Sequence, residues 1–258
     1  MKPRAVMVAA VALLAVWELV ARLWGDPLLP PALVVLHRFV LELPRELGLH
    51  AAASLGRVVG GMALAVLTAV PAGLLLGQHP RANRIFGPVL YLLYPIPKVV
   101  LVPVLMLLLG VGNLPKIVII ALILFFQMVV LVRDNAMAVR RELLLSVRSL
   151  GAGPYQLLRF VYLPACLPAV FSAIRQSIGT SIAVLYVAEL FATRLGLGYY
   201  IYLAGSTLFD YPAMYAGVVA MSLMGLGLFW CVDWADHHWC AWSRAGLGET
   251  VAATDESA

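Results

Sequence analysis

The chain has 258 residues, of which 63% are hydrophobic and 12% charged, and its mean hydropathy is +0.95. A soluble domain has an apolar share nearer about half, so this composition excludes a soluble globule and assigns the chain to a bilayer. The formal charge of +5 does not call for a nucleic-acid partner, because in a membrane protein the positions of Lys and Arg chiefly report topology. Cys166, Cys231 and Cys240 have no repeated spacing and read as small apolar fillers or free thiols rather than a disulfide framework.

A helix rises about 1.5 Å per residue across about 30 Å of hydrocarbon, so a crossing takes roughly 20 mostly apolar residues. Six stretches qualify: residues 5–23, 58–76, 89–110, 117–132, 167–191 and 213–232. The expected fold class is all-α, a polytopic membrane protein with six transmembrane helices. Residues 1–245 read as a single transmembrane domain and 246–258 as a disordered tail. Met1-Lys2-Pro3-Arg4 before an apolar run has the outline of a secretory signal, but Glu18 and Arg22 stand where a small-residue cleavage site belongs, so the first span reads as retained.

Between the first two spans, Pro27, Pro30 and Pro31 precede Leu36, Phe39, Val40 and Leu43 at helical spacing, which predicts a short surface helix. Gly60, Gly61, Gly73 and Gly77 in the second span allow close helix approach. The third span is punctuated by Pro88 at its entry and by Pro95, Pro97 and Pro103, with Lys98 inside it. Each proline removes a backbone donor, and such breaks survive at membrane depth only where neighbouring helices or water satisfy the freed carbonyls. A kinked, enclosed span is expected.

Between the fourth and fifth spans, residues 136–150 read as a helix, Gly151-Ala152-Gly153 as its break, and Pro154 as the first turn of a second short helix. That second helix would show Tyr155, Leu158 and Tyr162 on one side, with Gln156 and Arg159 toward water or a partner. With a cytoplasmic amino terminus, Lys2, Arg4, Arg81, Arg84, Arg133, Arg140, Arg141, Arg148, Arg159 and Arg244 share the side of this loop. Arg38, Arg45, Arg57, Lys116 and Arg194 lie opposite. The excess assigns both termini and the loop to the cytoplasm.

The loop carries Leu145-Ser146-Val147-Arg148-Ser149-Leu150-Gly151, nine residues, then Val161-Tyr162-Leu163-Pro164. It resembles the coupling loop of ABC importer membrane subunits, where Glu-Ala-Ala, three residues and Gly precede, by nine residues, an aliphatic, any residue and Leu-Pro. Leu145, Ser146 and Val147 stand where that family has Glu-Ala-Ala, with Glu142 one turn earlier as a substitute. Trp17-Glu18-Leu19, Tyr94-Pro95-Ile96-Pro97, Leu109-Gly110-Val111-Gly112, and Val187-Ala188-Glu189-Leu190 followed by Gly196-Leu197-Gly198-Tyr199 extend the resemblance to permeases for nitrate, taurine and alkanesulfonates. The resemblance implies a type I permease-like fold whose coupling loop, about residues 136–164, meets an ATPase through Glu142, Leu145, Ser149, Leu150, Gly151, Ala152, Tyr155, Leu163 and Pro164. It implies two ATPase subunits, a second permease subunit identical to the first, and a periplasmic or lipid-anchored substrate-binding protein. The setting implied is the bacterial inner membrane. The chain has no Gly-Lys-Ser/Thr phosphate loop, so it is expected to hold no cofactor and catalyse nothing. A gradient-driven secondary transporter and a degenerate permease acting as a scaffold or sensor are the alternatives; against the first, no paired broken-helix repeat is visible.

Ionisable groups at membrane depth are functional candidates by default. Glu189, with Tyr186 one turn before it, is the sharpest; the favoured role is a structural acid that fixes packing, since an anion path gains little from negative charge. Gln127, Thr180 and Ser181 offer uncharged hydrogen-bond groups that can line a path or join helices. Arg175 reads as a snorkelling anchor, and Glu18 and Lys98 as interface or packing residues that pair only if the fold joins them. Asp233, Asp236, His237, His238 and Cys240 collect metal-ligand types, yet no second cluster completes a four-ligand site, and no metal is expected.

Overall fold

The computed structural model describes residues 3–242; the expected tail at 246–258 lies outside them. Every regular element among these residues is helical. The α-helices are α1 (Pro3–Trp24), α2 (Ala32–Glu42), α3 (Gly48–Gln78), α4 (Pro80–Leu93), α5 (Val102–Leu109), α6 (Leu114–Met137), α7 (Arg141–Ser149), α8 (Pro154–Leu157), α9 (Leu163–Glu189), α10 (Leu197–Tyr202) and α11 (Tyr211–Trp239), joined in places by short 3-10 or π-helical turns. The described residues hold five helices long and apolar enough to cross a membrane, and a sixth crossing if α4 and the Lys98–Leu109 segment count as one bent span.

The chain divides into two compact units, Met1–Arg57 with Leu185–Met224, and Val58–Val184 with Gly225–Ala258. In the first, α2 buries Ala32 and Val35, while Leu36 and Phe39 are half-buried and Val40 and Leu43 exposed. The expected stripe of Leu36, Phe39, Val40 and Leu43 is therefore displaced by four positions, about one helical turn, toward the amino terminus. A π-helical turn over Leu43–Leu47, with Pro44 in it, carries the chain directly into α3, so the second long helix begins ten residues before the expected span. Trp17 of α1 lies against Tyr215 of α11, ring centroids 5.8 Å apart.

In the second unit, α3 and α6 cross closely. A Cβ on Gly73 would fall 2.8 Å from the Val132 side chain, and one on Gly77 would fall 2.4 Å from that of Ala136. The core here joins Leu74, Val132, Ala136, Leu157, Val161, Tyr162, Cys166 and Val170. The third span is broken, not merely kinked: its two helical pieces meet at 82° across the Tyr94–Pro97 corner. The carbonyls freed there turn to Lys98, whose Nζ donates to Leu93, Tyr94 and Ile96 at 2.8, 3.0 and 3.3 Å. A side chain of the break itself does what neighbouring helices or water were expected to do. Nor does the chain enclose the span, since Leu107 and Leu108 of α5 are exposed.

Candidate functional site

Within the second unit, a cavity of about 320 Å³ is bounded by Tyr94, by Gln127, Val130, Leu131 and Asp134 of α6, and by Ala173, Gln176, Ser177 and Thr180 of α9. The α6 residues 127, 131 and 134 and the α9 residues 173, 176/177 and 180 recur at helical spacing, so each helix turns one partly polar face to the space. A second cavity, about 280 Å³, is bounded by Tyr94 and Gln127 again, with Ile96, Pro97, Lys98, Val99, Ile123, Phe126 and Val184. Gln127, at both, can donate and accept hydrogen bonds. Asp134 is paired with Arg133 at 2.7 Å, and the Arg133 guanidinium stands over the Tyr91 ring at 5.5 Å.

The structure brings Gln127 and Thr180 together on the first cavity. Ser181 is not on it: its hydroxyl is buried and donates to the Ile178 carbonyl at 2.7 Å. Tyr94, Asp134, Gln176 and Ser177 were not singled out as path residues from the sequence. The signal was present in the polar repeat of Gln176, Ser177 and Thr180 facing Gln127 and Asp134 at matching helical intervals.

Glu189 belongs to a different arrangement, inside the first unit. It has no solvent exposure and is ion-paired with Arg57. Ser54 Oγ lies 2.8 and 2.9 Å from its two oxygens, and the Gly198 N–H donates to Oε2 at 2.8 Å. Ser54 in turn accepts the Leu197 N–H at 2.8 Å, and His50 Nδ1 lies 2.9 Å from the Gly196 nitrogen. Gly196 has φ +151°, and a Cβ there would fall 2.5 Å from the Arg57 guanidinium and the Glu189 carboxyl, so only glycine fits both the conformation and the space. The two motif pieces around Glu189 and Gly196-Leu197-Gly198 are thus one clasp closing the segment after α9. Tyr186 is half-buried one turn before Glu189. Nearby, Tyr200 donates to Glu42; burial first, and that bond second, push its hydroxyl pKa up, so it stays a donor.

Glu18 and Lys98 do not pair. Glu18 binds Arg22 at 2.6 Å and accepts the Leu33 N–H at 3.1 Å, while Lys98 caps its own break. Arg175 does not simply reach for water: it bridges Asp233 and Asp236 at 3.1 and 2.8 Å. That use of both carboxylates takes them away from the candidate ligand cluster.

The loop between α6 and α9 differs from the expected two separate helices. Residues 136–150 are not one helix: α6 runs to Met137, and α7 starts afresh at Arg141. After α7, Gly151 has φ +85° and donates its N–H to the Arg148 carbonyl at 2.9 Å. Gln156 Oε1 accepts the Gly153 N–H at 2.7 Å. From Pro154 the chain passes through a π-helical turn, Leu158–Tyr162, straight into α9. A π turn holds more residues than an α turn and shifts the faces after it. Leu157, Val161 and Tyr162 are therefore buried and Leu158 packs beside them, whereas Tyr155, expected on the same side as Leu158 and Tyr162, is exposed. Leu144 and Val147 seat α7 on the core. Leu145, Leu150 and Tyr155 stay 54%, 86% and 66% exposed, and Glu142 and Ser149 are exposed with them. Ala152 is half-buried in the bend; Leu163 is exposed and Pro164 half-buried at the head of α9.

Residues 69–239 match the family model described as binding-protein-dependent transport system inner membrane component. The chain is 30% identical over 220 residues to the taurine transport system permease protein of Escherichia coli (strain K12), covering 82% of this chain and 80% of that one. It is 32% identical over 221 residues to a probable ABC transporter permease protein of Brucella abortus (strain 2308), covering 85% and 88%. It is 31% identical over 220 residues to the riboflavin transport system permease protein of Chloroflexus aurantiacus, covering 84% and 82%. Among solved structures, a chain of the MetNI methionine ABC transporter in an inward-facing conformation superposes with a TM-score of 0.64 at 17% identity, covering 74% of this chain and 94% of that one. That likeness is one of fold.

Proposed function

Because the chain belongs to the inner-membrane components of binding-protein-dependent transport systems, and so is a permease component of an ABC-type importer, we propose that it moves a small anionic or polar solute of the nitrate, sulfonate or taurine kind. Its task is transport, with ATP hydrolysis on a partner. A binding protein, periplasmic or lipid-anchored, delivers the solute. Two ATPase subunits drive the cycle, and a second, identical permease subunit completes the passage. Residues 1–245 act as one permease domain, with both termini and the coupling loop, about 136–164, in the cytoplasm.

The observation that carries this reading is the corner between α7 and α8. Leu144 and Val147 fix α7 to the core while Leu145, Leu150 and Tyr155 stand outward. A seated helix with an unpaired apolar tip transmits force from a docked protein, whereas a loose loop absorbs it. Exposed leucines support a contact made largely by burial of apolar surface, with Glu142 supplying charge at its edge. The uncharged hydroxyl and amide groups of Gln127, Gln176, Ser177 and Thr180 suit passage of a polar solute. Coexpression with an ABC ATPase and a substrate-binding protein from the same organism, followed by reconstitution, tests the reading. Uptake of labelled taurine or nitrate that requires ATP is expected; proton-driven uptake without ATPase, or a bound ATPase with no solute movement, overturns it.

A further inference from the structure

Lys98 is 9% exposed, and its Nζ lies within hydrogen-bond distance of the Leu93, Tyr94 and Ile96 carbonyls. Three acceptors engage all three N–H groups of an ammonium; a neutral amine has only two. The Nζ also lies 4.3 Å from the centre of the Phe126 ring, whose face favours a cation. Among the described residues no carboxylate lies within ion-pair distance of Lys98. Carbonyl dipoles and a ring face offset part of the cost of removing a charge from water, but a buried charge is normally paired with an opposite one. Here the opposite charge is missing, and in its place is a cavity of about 280 Å³ that Lys98 helps to line together with the Gln127 amide.

We propose that Lys98 is a specificity-determining residue, and that the cavity beside it selects a small monovalent oxyanion such as a sulfonate by its field. The inference rests on the permease function proposed above and narrows its solute to the anionic class. Since the carbonyls take the N–H groups, Lys98 acts at a distance of one solvent or solute layer. Direct hydrogen bonds to the anion come from the Gln127 amide, and Tyr94 and Gln127, shared with the larger cavity, pass the anion on. The 82° break is what places a lysine's short-range partners and its long-range field in one spot.

A charge-reading probe tests this without knowledge of the natural cargo. Ile123, which lines the same cavity, is replaced (Ile123→Cys) in the full chain in permeabilised membrane vesicles. Labelling rates are then compared for anionic 2-sulfonatoethyl and cationic 2-(trimethylammonium)ethyl methanethiosulfonate, above the background of the three natural cysteines. A focused field of one sign raises local concentration of the opposite ion by about tenfold or more. The anionic reagent is therefore expected to react faster by at least about tenfold after correction for the reagents' intrinsic rates. Lys98→Arg keeps that ratio, and Lys98→Gln, which retains a donor for the carbonyls but no charge, removes it. Parity between the reagents with Lys98 in place overturns the proposal, whatever the variants do. So does an unchanged ratio in folded Lys98→Gln, which would leave Lys98 a capping residue only. ATP-driven uptake without charge preference would leave the permease function standing and remove this role for Lys98.

Discussion

Glu189 has no route to water, so everything that holds it comes from Arg57, Ser54 and the Gly198 amide. Removing one member of a buried ion pair costs about 3–5 kcal/mol, because the other is left uncompensated, whereas replacing both by apolar residues costs much less. Arg57→Met is therefore expected to lower the unfolding temperature in detergent sharply, and Arg57→Met with Glu189→Met to recover a good part of the loss. A single variant as stable as the parent would mean that the clasp contributes little. The acid itself was conspicuous in the sequence, being a charge in an apolar run. Its partner was not: Arg57 stands 132 positions earlier, at the head of another hydrophobic stretch, and reads locally as one more topological arginine. Long-range pairing of this kind leaves a trace only in the requirement for small residues, here Gly196 and Gly198, where the backbone must approach the carboxylate.

Helical elements were legible in existence and order because length and hydropathy fix them. Their faces were less so, because π turns at Leu43–Leu47 and Leu158–Tyr162 insert residues that a constant 3.6 period does not contain. That is why the stripe over the α8–α9 junction came out rotated. Prolines gave the position of the break in the third span but not its angle, since the role of Lys98 as a carbonyl cap depends on side-chain reach. At the corner, Leu150→Asp is expected to abolish substrate-stimulated ATPase in the reconstituted complex without changing the unfolding temperature. Val147→Asp, on the seated face, is expected to destabilise the chain, since it buries a charge with no partner. Glu142→Ala is expected to reduce the stimulation partly; full stimulation would assign the contact to the leucines alone. Between α3 and α6, Gly77→Ala introduces a methyl 2.4 Å from the Ala136 Cβ and 2.9 Å from the Arg133 carbonyl. Overpacking of this sort costs about 1–3 kcal/mol, readable as a lowered unfolding temperature, while Gly227→Ala, half-buried but with nothing within 4 Å of the added methyl, serves as the neutral control.

For the whole molecule, the proposed topology, which rests on the unequal distribution of arginines, puts the α7–α8 corner in the cytoplasm. Ser149→Cys is expected to react with an impermeant maleimide in inside-out vesicles and not in intact cells; labelling from outside would invert the topology and separate the corner from any ATPase. The composition made the membrane setting plain, and the spaced Gly and Leu-Pro of the loop made the family plain, because both are local patterns. The cavities were not plain, since they arise where Tyr94, Gln127 and Thr180 from three separated stretches converge. A further consequence follows from the lysine at the break. Any protein that opens a watery route through a bilayer threatens the stored voltage, worth about 2.3 kcal/mol per elementary charge for each 100 mV. If Lys98 carries its proposed role, a fixed ammonium beside the path repels sodium, potassium and hydronium, much as fixed positive groups bar cations in selective pores. The side chain that mends a severed helix is also suited to insulating the cell's battery while nutrient passes.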